Sequence, residues 1–190
     1  MNSADLKTEL LSKAFQFRQA LSDETDRGVA LYASAYLDSA LSDLLYCSLV
    51  TSKQIEKDLF KGTAPLASFS SRISMSFYLG KISNNERREL DLLRKIRNHF
   101  AHSAQSISFA TPDIANRCSE LMFSYHDDRS IPRKNFIASS FGLLARIHSE
   151  TYKANAPDEN RRKVPTTDLK LDTRESISEL YQQFDTDPSQ

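Results

Sequence analysis

Between residues 4 and 150 the apolar side chains recur at intervals of three and four, the spacing that gathers them along one side of a 3.6-residue helix. Short breaks divide that rhythm into separate helical stretches. The 190 residues include only 4 Gly and 6 Pro, too few turn formers for the many chain reversals of a β-sandwich or barrel. The fold class that remains is all-α, a helical bundle of six to seven helices followed by a polar C-terminal tail.

Individual helices follow from local signals. Leu6, Leu10, Ala14, Phe17 and Leu21 make one stripe over residues 4–22. Over residues 27–50, Ala30, Ala33, Leu37, Ala40, Leu41, Leu44 and Leu45 form a wide face of small and medium side chains, suited to a central helix with close neighbours. A short helix is expected over residues 52–60, with Ser52 as its N-cap, before KGTAPLAS breaks the pattern. Residues 68–79 form the next helix, ended by Gly80. Ser83 and Glu86 have capping-box spacing, so a helix starts near Asn84 and runs through NERRELDLLRKIRNHF. Thr111, Pro112 and Asp113 introduce IANRCSELMFSY, and Pro132 introduces RKNFIASSFGLLARIHSE.

After Tyr152 the composition turns polar and cannot supply a core. Residues 1–152 are expected to form the bundle and 153–190 a tail, flexible or docked through a short helix over residues 173–184 whose Ile177, Leu180, Tyr181 and Phe184 share one face. Cys47 and Cys118 lie in helix-like segments away from any Cys/His cluster and are expected to be reduced core residues. No apolar run approaches the 18 residues or so of a membrane span, and the first residues lack the pattern of a secretory signal. A cytoplasmic protein without membrane contact is the expectation.

The 25 Lys and Arg balance 25 Asp and Glu, so no general field draws the chain to a phosphate backbone. No helix combines basic and amide residues in the manner of a recognition helix, which makes direct DNA binding an unfavoured mode. The densest basic run, Arg161 to Lys163, follows Asp158 and Glu159 in the tail and reads as a solvated stretch.

The segment RKIRNHFAH, residues 94–102, concentrates the titratable chemistry. At about 100° per residue, Leu92, Leu93, Ile96 and Phe100 fall in one arc while Asp91, Arg94, Asn98 and His102 gather on the other side. Arg97 lies at the border of the apolar arc, about 140° from His102 on a straight helix. Either the helix bends or ends between them, or two copies meet so that both residues line one cleft. Two readings are open. In one, Arg97 pairs with a carboxylate such as Asp38, Asp43 or Glu86, and Asn98 and His102 satisfy backbone groups at a helix end. In the other, the imidazole, with an ordinary pKa of about 6.5, is a general base and the guanidinium holds a phosphate, as cleavage of RNA without a metal requires.

Arg97, Asn98 and His102 resemble the Arg, polar, three-residue spacer, His motif of the HEPN superfamily, helical domains that include metal-independent RNases and non-catalytic relatives. Over a longer stretch, APLASFSSRISMSFYLGKIS and NERRELDLLRKIRNHFAHS, the chain resembles the mannitol operon repressor family, with its Pro-Leu, Ser-x-Arg and Leu-Gly series ahead of a Glu-rich helix ending in Arg and His. The resemblance implies a HEPN-like bundle, a homodimer and a role in transcription regulation; with no recognition helix and no positive surplus, that role is expected to run through a protein partner. The alternative it implies is an endoribonuclease, of toxin type among the possibilities, with His102 as base, Arg97 as phosphate clamp and Asn98 orienting them; RNA would then be the partner. Arg72, set among Phe69, Ile73 and Met75, needs a counter-charge or an anion-binding cleft, and Arg94 is a second anion-binding candidate. His99 and His102 lie three apart without a Cys, Asp or Glu to complete a ligand set, so no metal and no cofactor are expected. His126 and His148 stand alone and are expected on the surface.

Overall fold

The computed structural model describes residues 12, 16, 17, 19–21, 23–50, 52–123 and 130–155. Among them every regular element is helical: α1 (Asp26–Ser48), a single π-helical turn (Glu56–Phe60), α2 (Phe69–Tyr78), α3 (Asn84–His102), α4 (Pro112–Ser119) and α5 (Pro132–Ala154). Residues 16, 17 and 19–21 are also helical, and Phe17 and Leu21 of the expected first stripe are fully buried. The rest of that stripe lies outside the described residues, as do His126, the basic run at 161–163 and the short helix expected over 173–184.

Helix α1 is the hub. Thr25 caps it by accepting a hydrogen bond from the Gly28 amide at 3.0 Å, and Asp26 places a negative charge in its first turn. Its buried face carries Val29, Ala30, Ala33, Ser34, Leu37, Ala40, Leu41, Leu44 and Leu45, and it packs against α2, α3 and α5. The alanines admit neighbouring helices closely, while the leucines fill the gaps between them. A satellite cluster of Leu45, Ile55, Phe60 and Leu66 extends the core beneath the π turn. That turn replaces the short α-helix expected over residues 52–60: Lys61 donates to the Glu56 carbonyl at 3.1 Å, five residues back, and Leu66 donates to the Leu59 carbonyl at 2.7 Å.

Helices α2 and α3 start and stop where their capping residues dictate. Ser68 and Ser71 form a reciprocal capping box, and Gly80, at φ +66°, ends α2 in the left-handed region that favours glycine. Ser83 and Glu86 form the second box: the Ser83 amide donates to Glu86 Oε2 at 2.6 Å and the Glu86 amide to Ser83 Oγ at 3.2 Å. The other oxygen of Glu86 accepts from Arg146 Nε of α5 at 2.9 Å.

One helix is shorter than its sequence pattern. The run IANRCSELMFSY is helical only as far as Ser119, and residues 121–123 are irregular. The cause lies on α3. Glu89, 1% exposed, accepts from the Met122 amide at 2.8 Å and the Phe123 amide at 2.9 Å, and also from the Ser139 hydroxyl of α5. Those amides bond a side-chain carboxylate instead of carbonyls four residues back, and the helix stops. At Gly142 of α5 an added Cβ would lie 3.0 Å from the Phe123 carbonyl oxygen, so glycine also admits this strand of chain close to α5.

Two stability predictions follow from these carboxylates. Glu89→Ala strands two backbone N–H groups and a hydroxyl, and urea unfolding should register a loss of about 2–5 kcal/mol; Glu89→Gln, which keeps an acceptor oxygen, should lose clearly less. Burial acts to raise the Glu86 pKa above its ordinary 4.5, but the Ser83 amide and the Arg146 guanidinium outweigh it and the carboxyl titrates lower. A lowered folded-state pKa stabilises the fold above pH 4.5, and that contribution vanishes as pH falls through the folded value. Thermal melts of Glu86→Gln should therefore show a shallower decline on the acid side of pH 4.5 than the parent chain.

Candidate functional site

The last two turns of α3 carry the cationic and titratable segment. Leu92, Leu93, Ile96 and Phe100 point into the core. On the other side, Asp91 Oδ1 accepts from Nε and Nη2 of Arg94, both at 3.2 Å, and one turn on come half-buried Asn98 and exposed His102. Arg94 is thus committed to a carboxylate of its own helix. Arg97 is half-buried at the edge of the apolar face.

Helix α3 runs without interruption to His102, and the Ser103 amide closes it on the His99 carbonyl at 3.2 Å. The helix therefore does not end between Arg97 and His102. On its regular geometry they diverge by about 140°, so one chain does not aim both at one phosphate.

The expected pairing of Arg97 with Asp38, Asp43 or Glu86 is also not seen. Arg72 holds Asp38 through Nη1 at 2.6 Å, and Arg146 holds Glu86. Among the described residues the side chains of Arg97, Asn98 and His102 make no hydrogen bond or ion pair. Arg72, with only 13% of its side chain exposed, also donates Nε to the Leu66 carbonyl at 2.9 Å. It ties the Pro-Leu loop and α2 to α1, a use that a charge among Phe69, Ile73 and Met75 requires.

Residues without a sequence signal frame the end of α3. Arg27 of α1 donates Nη2 to the carbonyls of Ser103 at 2.9 Å and Gln105 at 3.2 Å, supplying donors to the chain just beyond the helix. Its neighbour Asp26 accepts from Arg133 Nη1 of α5 at 2.6 Å and from the Phe109 amide at 2.9 Å. Thr25, Asp26, Arg27 and residues 104–107 line an open polar groove of about 370 Å³ directly after His102. These contacts span 76 to 107 positions of sequence, beyond the reach of any local pattern.

The remaining candidates separate by burial. Cys118 is fully buried, and burial pushes its thiol up to about 12, so it stays protonated and inert. Cys47 is half-buried. His148, expected on the surface, is half-buried on α5, with its Nδ1 atom out of contact with solvent. Among the described residues no three His, Cys, Asp or Glu side chains are placed to hold a metal ion, and no helix is long and apolar enough to cross a membrane.

Since Arg97 and His102 bond to nothing within the described fold, Arg97→Ala and His102→Ala should each shift stability by no more than about 0.5 kcal/mol. Thermal melts check this; a larger loss for Arg97→Ala would place its guanidinium in the structural framework.

No family model and no curated protein matches the chain. Among solved structures it is similar to the MtlR chain of the X-ray structure of the MtlR–HPr complex from Escherichia coli, with a TM-score of 0.63 and 19% identity over 71% of this chain and 98% of that one. The likeness covers nearly the whole neighbour and lends no support to a place in the HEPN superfamily. At this identity it establishes the fold: the chain has an MtlR-like helical bundle.

Proposed function

We propose that this chain is a regulatory protein of the MtlR kind, which acts in the cytoplasm by holding a protein partner, HPr or a protein like it, rather than by gripping DNA. The observation that carries this reading is the match to nearly the full length of a chain solved in complex with HPr. The charge balance agrees with it. With 25 basic and 25 acidic side chains the chain has no surplus of positive charge to draw it to a duplex, and Arg72, Arg94, Arg133 and Arg146 are engaged by carboxylates. The reading includes a two-fold homodimer that brings the α3 ends of two chains together.

One observation favours the RNase alternative: among the described residues the side chains of Arg97, Asn98 and His102 have no hydrogen-bond or ion-pair partner, as is expected of catalytic side chains awaiting a substrate. Their divergence on one helix weighs against it in a single chain.

Calorimetric titration of the purified chain with HPr should show saturable binding with a Kd of about 1–100 μM, the range of a transient signalling contact, while light scattering gives the mass of two chains. A promoter fragment should be retained only when the partner is added. Mixed RNA incubated with the protein in EDTA should stay intact. Absence of binding at about 1 mM HPr, far above that range, would remove the proposed partner, and RNA cleavage lost in both His102→Ala and Arg97→Ala would replace the regulator with the nuclease.

A further inference from the structure

The carboxylate that joins α3, the chain leaving α4 and α5 uses only one of its two oxygens. Oε1 of Glu89 accepts from the amides of Met122 and Phe123 and from the Ser139 hydroxyl, while Oε2 receives no donor among the described residues. A carboxylate offers about four lone-pair sites, shared between both oxygens. The buried group therefore has acceptor capacity that the fold itself does not fill. It also lines a cavity of about 220 Å³, together with Asn85 and Arg88 of α3 and with Met122 and Phe123.

The lining sorts by chemistry. Met122 and Phe123 supply apolar side chains, whereas Asn85 and Arg88 occupy exposed positions on α3. Arg88 is engaged elsewhere: Nη1 donates to the Glu120 carbonyl at 3.3 Å and Nη2 to Glu120 Oε2 at 3.5 Å. With Arg88 set against Glu120, the carboxylate of Glu89 decides the sign of the site. A cavity of about 150 Å³ takes a benzene ring, so this one has room for a body of that size and a short polar head. Apolar walls select the body. A buried carboxylate selects a head that donates hydrogen bonds, a cationic donor makes the stronger bond, and an anion is repelled.

We propose that this cavity binds a small primary amine with an apolar body, its ammonium donating to Glu89 Oε2 and its body lying against Met122 and Phe123. The ligand then bears on the carboxylate that stops the helix after Ser119 and links α3 to α5. Occupancy tightens that junction, because a ligand that binds only the folded state stabilises the contacts it needs.

Benzylamine is the probe, with benzyl alcohol and phenylacetate as its neutral and anionic analogues. An NMR titration of the full-length chain with benzylamine should move the amide signals of Met122 and Phe123 saturably, with a Kd of about 0.1–1 mM. Benzyl alcohol should bind about tenfold more weakly and phenylacetate not at all. At ten times Kd, hydrogen exchange at those two amides should slow about tenfold. Glu89→Gln keeps an acceptor but removes the charge, and should weaken benzylamine about tenfold, to the level of the alcohol. Asn85→Trp is the second variant: the residue is exposed and lines the cavity, so an indole there should fill it and abolish binding with the melting temperature unchanged. Equal affinity for amine and alcohol, binding of phenylacetate, or benzylamine affinity retained in either variant would overturn the proposal. So would the absence of any shift at Met122 and Phe123 at about 10 mM benzylamine, well above the expected Kd. No arm contains HPr, so the outcome does not depend on the regulatory reading.

Discussion

A carboxylate removed from water must find its donors within the protein, and the bundle is organised around that demand at Glu89. One oxygen gathers two backbone amides of residues 122 and 123 and the hydroxyl of Ser139, linking α3, the chain leaving α4 and α5 at a single buried point. Three residues earlier Glu86 performs a related task, joining the cap of α3 to Arg146 of α5. Hydrophobic contacts around α1 supply the bulk of the packing, but they are non-directional. The two carboxylates add direction: a rotation or slip of α3 against α5 would strand charge inside the core.

What could be read from the chain divides along the same line. Caps, glycine stops and apolar stripes are local, so the start of α3 at Asn84, the end of α2 before Gly80 and the central position of α1 were all legible. Residues 121–123 look helical because their own pattern is helical. What stops the helix is Glu89, more than thirty positions away. Likewise, the π turn at 56–60 answers to packing over Leu45 and Leu66 rather than to any local breaker.

The same limit applied to the site. Helical geometry correctly separated Arg97 from His102 and grouped Arg94 with Asp91, since both are properties of one helix. Which carboxylate each arginine takes is a matter of tertiary neighbours. Asp38 belongs to Arg72 and Glu86 to Arg146, leaving Arg97 without the pairing its position invited. Arg27 and Asp26, which frame the end of α3, sit in a sequence context with no sign of their long reach.

Helix α3 also sets a distance. Arg87 and His102 belong to one uninterrupted helix of 19 residues, and their positions are separated by about 22 Å along its axis. The stack of Arg87 on the Phe77 and Tyr78 rings and the polar groove beyond His102 are therefore at opposite ends of a single rod. A displacement at one end would therefore reach the other as a movement of the whole rod, resisted where Glu86 and Glu89 pin it to its neighbours. The separation of the two ends of the bundle is written into the length of one helix.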